Sequence, residues 1–198
     1  MLWPRPGPRL DTDRMVLRLP RPDDFQPWAQ LRRQSEAFLA PWEPQWTPGH
    51  LSKSAFSARV RWAARSAAKR TAFPFFMFDR ETMQVLGAIT LDEVRFGPAQ
   101  TGRLGYWIGA PYARQGLMRE GIAAVVHFAF QRLDLSRIEA ACLPENAASR
   151  GLLETSGFKY EGVAQQYLQI DGRWRTHVLY AMLRSDRRAA APRAALEG

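Results

Sequence analysis

Between Trp107 and Ile122 the chain reads WIGAPYARQGLMREGI, an apolar run that breaks at Gly109-Ala110-Pro111 and restarts at Leu117 with helical spacing. Pro111 and Gly116 punctuate a strand-to-helix loop. Such a loop points several backbone N–H groups at one spot, beside the unpaired N–H groups of the first helical turn. The helix dipole adds positive potential, so the junction suits a phosphate. Gly116 permits close backbone approach, and Arg114 and Arg119 can add charge-assisted bonds. The same residues also fit a plain strand-to-helix turn with surface arginines, and this loop alone does not decide between the two.

Other side chains can do chemistry. Asn146 and Ser149 stand three apart where a helix should begin; the hydroxyl can deliver a proton, while the same pair fits a helix cap and a solvent-facing serine. Cys142 ends a strand-like run with no histidine placed near it by sequence, so it reads as a buried strand cysteine and no covalent intermediate is expected. A lone cysteine and the scattered His50, His127 and His177 give no metal site. Glu43 in PWEP and the pair Asp92-Glu93 are the candidate bases; each is equally readable as a surface carboxylate.

These groups need elements to hold them. Met15–Leu19 alternates like a first strand, and Asp23 or Asp24 can cap the helix that follows, with Phe25, Trp28 and Leu31 along one side. After the proline-broken loop FLAPWEPQWTP, a helix is expected from Ser52 to Ala68. AFPFFMFD and QVLGAITLDEV read as strands joined around Arg80–Thr82, then RLGYWIG, with Leu104, Tyr106 and Ile108 on one face and Gly105 and Trp107 on the other. A helix from about Leu117 to Leu133, the strand RIEAACL, a helix capped by Asn146 and stopped by Gly157, and a hairpin turning near Asp171-Gly172 complete the order. The expected fold is one mixed α/β domain, residues 15–183, with a mainly antiparallel sheet. Residues 1–14 read as an N-terminal extension and 184–198 as a basic, poorly ordered tail.

Composition sets outer bounds. The 198 residues are 46% hydrophobic, enough for one well-cored domain. No apolar run approaches the ~20 residues that span a bilayer. One cysteine and a start without an apolar signal core fit the cytoplasm. The net charge of +9 matches nucleic acid, an anionic cofactor, or a solvated surface.

The stretch YWIGAPYARQGLMREGI resembles the pyrophosphate-binding segment of the GNAT acetyltransferases. FLAPWEP, LPENAASRGLLETSGFKYEG and YLQIDGRWRTHVL resemble segments of its RimJ-like branch, the bacterial ribosomal-protein alanine acetyltransferases. Four blocks in order, from about Met15 to Leu183, carry the likeness. Against the family loop the chain has Ala113 at the first position and Met118 at the last.

The resemblance implies direct transfer of acetyl from acetyl-CoA to an amine, with no metal. It implies that Arg114, Gln115, Gly116, Leu117, Met118 and Arg119 hold the diphosphate. The backbone of Trp107 and Ile108 would pair with the pantetheine in a splayed strand pair, and Asn146 would bond it as well. Ser149 would protonate the departing sulfur. Trp42, Glu43 and Tyr167 would line the acceptor cleft, with Glu43 as base or ammonium partner. Thr176 stands where the branch often has an aspartate.

Many family members carry a glutamate on the central strand; TGRLGYWIG has none. An α-amine of pKa ≈ 7.8 is roughly a tenth neutral at neutral pH, whereas lysine at ≈ 10.4 is well under ~0.1% neutral. A protein N-terminus therefore asks less of a base. The expected acceptor is the N-terminal alanine or serine of a ribosomal protein or the ribosome itself. The alternatives are a small amine such as an antibiotic, polyamine or amino acid, and a ribosome- or RNA-binding protein without catalysis.

Overall fold

The computed structural model describes residues 7–186. Its strands are β1 (Arg9–Asp11), β2 (Met15–Arg18), β3 (Phe73–Asp79), β4 (Val85–Arg95), β5 (Thr101–Ile108), β6 (Arg137–Cys142), β7 (Lys159–Ile170) and β8 (Arg173–Leu183). The helices are α1 (Phe25–Gln34), α2 (Glu36–Leu39), α3 (Lys53–Ala68), α4 (Leu117–Gln131) and α5 (Ala147–Thr155). The strands form one sheet in the order β1-β2-β3-β4-β5-β6-β8-β7, antiparallel except for the β5–β6 pair.

The alternation along β3 fixes the layers. Phe73, Phe75 and Met77 pack with α4 on one face, while Phe76 and Phe78 pack with Trp28 of α1 and Phe56 of α3 on the other. α4 lies close on the sheet because Gly121 has no side chain: a Cβ there would sit 2.8 Å from Ile89 Cδ1. The Asp171-Gly172 turn forms as its sequence demands, with φ of 47° and 72° at its two residues and Ile170 opposite Arg173. Ser52 caps α3, its hydroxyl accepting from the Ala55 N–H at 3.2 Å.

Three local expectations shift. Asp24 does not cap α1 with its side chain; its carboxylate instead accepts from both Arg18 guanidinium nitrogens (2.8 and 2.7 Å) and the Arg21 N–H. That bidentate pair ties β2 to α1. Residues 9–11, within the stretch read as an extension, pair antiparallel with β2 and belong to the sheet. Of the stretch read as a basic tail, Arg184 and Asp186 are anchored by ion pairs to Asp134 and Lys159, and 187–198 lie outside the described residues. Among the described residues no helix is long and apolar enough to cross a membrane.

The feature that positions a site is a wedge. β5 pairs with β6 only from Thr101↔Arg137 to Leu104↔Ala140. Beyond that point β5 stays with β4 as far as Ile108, while β6 stays with β8 as far as Cys142. The two central strands therefore part after Leu104, and the backbone of β5 faces an opening.

Candidate active site

The loop from β5 to α4 is braced from three sides. Gly109 N–H donates to the Leu86 carbonyl, and Ala110 N–H to the hydroxyl of Ser35, which is fully buried at the end of α1. The Gln115 side chain donates to the Pro111 carbonyl at 2.9 Å, and Arg14 donates to the Gln115 carbonyl at 3.0 Å. Arg14 is itself held by Glu120, with Nε 2.7 Å from Oε2. Gly116 takes the left-handed conformation at φ 77°, and no side chain caps α4. Among the described residues, the backbone N–H groups of Arg114 through Arg119 meet no acceptor. Six consecutive free amides lie at the positive end of a fifteen-residue helix, with Arg14, Arg114 and Arg119 beside them.

Register decides which β5 groups face the wedge. Ladder bonds in an antiparallel pair alternate. Gly109 bonds Leu86, so Trp107 bonds its partner Ala88 in turn. The backbone groups left for the opening belong to Tyr106 and Ile108. Of the expected pair, then, Ile108 faces the wedge while Trp107 is taken up by β4, and Tyr106 stands in its place.

Side chains close the wedge on the α4 and α5 side. Tyr106 Oη and Ser149 Oγ lie 2.7 Å apart. Burial raises the Tyr106 phenol well above its ordinary value, outweighing the opposite pull of the Ser149 bond, so it keeps its proton. Asn146 caps α5, its side-chain oxygen accepting from the Ser149 N–H at 3.0 Å, which leaves its amide NH2 free and fixes the serine. Burial likewise pushes up the Cys142 thiol beside them; a protonated, buried sulfur is a poor nucleophile.

The other face of β5 presents Arg103, Gly105 and Trp107. Arg103 pairs with Glu93, stands 3.6 Å from Asp92, and donates to Tyr167 Oη at 2.9 Å. Burial raises the Asp92 carboxyl above the usual carboxylate range. Trp107 lies under Arg32, whose guanidinium is 4.7 Å from its ring and 4.4 Å from that of Trp46. Glu43 takes both Arg32 terminal nitrogens, at 2.8 and 2.5 Å, and the Trp46 N–H at 2.9 Å. A carboxylate so engaged is poorly placed to act as base or to hold a substrate ammonium, which corrects the expectation for Glu43. Its backbone carbonyl accepts the Asp171 N–H at 3.1 Å, so this loop is bridged to the tip of the β7–β8 hairpin. Trp42 stands half exposed on the same loop.

Between the two pillars, Arg103–Tyr167 and Trp107–Arg32, lies Gly105, exposed, with nothing within 4 Å of a would-be Cβ. From Arg103 to Trp107 is about 13 Å along the strand. The gap is wide enough for one extended chain.

Sequence reasoning placed the loop, Asn146 and Ser149 together with the wedge. It missed Arg14, Arg32 and the hydroxyl of Tyr106. Arg14 and Arg32 have no local signal, since their partners come from distant segments or a proline-broken loop. Tyr106 had one: its place on the face of β5 shared with Leu104 and Ile108.

A wedge between central strands, opening beside a braced loop of free amides, has the shape and polarity that suit a phosphorylated carrier laid along β5. The model of the acetyltransferase (GNAT) domain matches residues 14–159, and the chain belongs to that family as an acetyl-CoA-dependent N-acetyltransferase. It is 35% identical over 181 residues to the ribosomal protein uS5-alanine N-acetyltransferase of Escherichia coli K12, covering 91% of this chain and 93% of that one. Among solved structures it resembles the ribosomal-protein-S5-alanine acetyltransferase of Vibrio fischeri (TM-score 0.84, 26% identity, 90% and 98% of the two chains). It equally resembles Mycobacterium smegmatis RimJ in complex with CoA-disulfide (TM-score 0.84, 27% identity, 93% and 90%).

Proposed function

We propose that the protein acetylates the N-terminal α-amine of a ribosomal protein beginning with alanine or serine. The row of six free amides at the start of α4 carries the proposal for the carrier. The likeness to a uS5-alanine acetyltransferase over nine-tenths of both chains supports the acceptor. A ribosomal acceptor also places the reaction in the cytoplasm.

In this reading the amides of Arg114–Arg119, with Arg14, Arg114 and Arg119, hold the diphosphate. The backbone of Tyr106 and Ile108 pairs with the pantetheine arm, and an N–H there faces the oxygen on which charge develops. Asn146 offers its amide NH2 to the same arm. The amine nitrogen bonds the carbonyl carbon, and Ser149 gives its proton to the sulfur as the carbon–sulfur bond breaks. Tyr106 restores that proton across the 2.7 Å contact, and solvent reprotonates the phenol once CoA leaves the wedge. The amine loses its own proton to solvent. No strand glutamate takes it, as the low basicity of an α-amine allows.

The acceptor enters over Gly105, between Tyr167 and the Trp42–Trp46 loop. A glycine inside a strand weakens it and often marks where another backbone approaches closely. Gly105→Val is expected to fold well, because a β-branched residue suits the strand, and to raise KM for an Ala-starting peptide about tenfold or more. CoA affinity by calorimetry should stay unchanged; an unaltered peptide KM would count against this entry route. The acceptor class itself is tested by thiol release with Ala- and Ser-starting peptides beside a panel of small amines. Faster turnover of any small amine than of the peptides overturns the proposal.

A further inference from the structure

Between Glu43 and Asp79 the chain holds six cations, Lys53, Arg59, Arg61, Arg65, Lys69 and Arg70, and no carboxylate. They account for two-thirds of the net charge of +9. All lie on α3 or the turn after it, and among the described residues none makes an ion pair. Elsewhere Arg18, Arg32, Arg103 and Arg137 have carboxylate partners, and the arginines without one, such as Arg21, Arg132 and Arg173, are scattered rather than aligned on one helix face.

Geometry organises this charge. Arg61, Arg65 and Lys69 are spaced four apart, so they form a row along the exposed side of α3, each about 6 Å from the next. Like charges at that spacing destabilise a helix by a few tenths of a kcal/mol per pair. Among the described residues no carboxylate pairs with the row to offset the repulsion. Beside the row stand two planar faces: Trp62, two-fifths exposed, and Phe96, equally exposed, with the Arg70 guanidinium 4.5 Å from its ring. The rest of the exposed face is small, with Ala58, Ala64 and Ala68.

We propose that this face of α3, with Arg70 and Phe96, docks onto the phosphate backbone of double-stranded RNA. Arginines outnumber lysines there, and their planar forks suit phosphate. A bilayer would want bulky apolar residues where the alanines stand. An acidic peptide would want side-chain pockets along the row, and the alanines leave a flat face. The choice of RNA over DNA rests on the ribosomal acceptor proposed above; the docking surface itself does not.

The test uses the full chain and a fluorescent RNA hairpin in anisotropy titrations over a range of salt. Wild type should bind with an affinity that falls steeply as salt rises. Replacing Arg61, Arg65 and Lys69 together by Gln removes only exposed groups. It should weaken binding about a hundredfold at 0.1 M salt and lower the salt slope by roughly 2–3. Acetylation of a free Ala-starting peptide by the same variant should match wild type, which separates this inference from the acceptor reading. Equal RNA affinity in both proteins overturns the proposal. So does tighter wild-type binding to poly-glutamate, to anionic vesicles or to duplex DNA than to the hairpin.

Discussion

Gly116→Glu should lose about two orders of magnitude in CoA affinity while remaining folded. The backbone at Gly116 has φ 77°, a conformation costing an L-residue roughly 1–2 kcal/mol. The space is otherwise open, since a Cβ would meet only Arg14 Nη2 at 3.5 Å. Gly116→Ala therefore reports the strain alone, and its effect on CoA should be small. The glutamate adds a negative charge among the six free amides. Two like charges about 4 Å apart near a protein surface repel by about 4 kcal/mol, and about 2.7 kcal/mol suffices for a hundredfold change. Calorimetry with CoA reads this directly. Acetyl-pantetheine, which lacks the diphosphate, should serve both proteins equally poorly. A CoA affinity within threefold of wild type in the glutamate variant would remove the diphosphate from this loop.

The loop was legible because its requirements are local. A phosphate cradle needs a turn, a glycine and a helix start within a few residues, and Pro111, Gly116 and Leu117 supply them in sequence. The layers were legible for a similar reason: β3 alternates Phe73, Phe75 and Met77 against Phe76 and Phe78, and period alone assigns the faces. What stayed hidden was set by pairing between distant segments. Whether Trp107 or Tyr106 turns its backbone to the wedge depends on the register with β4, which one strand does not reveal. Glu43 looked like a lone acid among aromatics because Arg32, which neutralises it, lies in a different helix. Arg14 reaches its loop across 101 residues of chain. Site chemistry carried by side chains from one segment could be read; chemistry cancelled or completed by another segment could not.

That distinction gives the second large effect. Ser149 was expected to protonate the departing sulfur, and the structure places it 2.7 Å from a phenol that burial keeps protonated. Under the proposed mechanism Ser149→Ala removes the group facing the sulfur and should lower kcat by about a hundredfold or more, within the range for a lost general acid. KM for acetyl-CoA should barely move, because the Ser149 side chain takes no part in the proposed diphosphate and pantetheine contacts. Tyr106→Phe keeps Ser149 but cuts its proton supply, so its kcat should fall less, and the double variant should be no worse than Ser149→Ala. Such non-additivity is the mark of two groups acting in one relay. A multiplicative double variant would show that they act separately.

The phenol also has a signature independent of turnover. Its folded pKa is raised, so above the free-phenol value of about 10 the unfolded chain releases a proton that the folded chain retains. The stability it contributes is complete below pH 10 and drains away as pH climbs beyond it. Denaturant midpoints at pH 9 and pH 11 should therefore differ more in wild type than in Tyr106→Phe, which has no proton to release. Equal losses in the two proteins would mean that the phenol is solvated and that burial does not hold its proton.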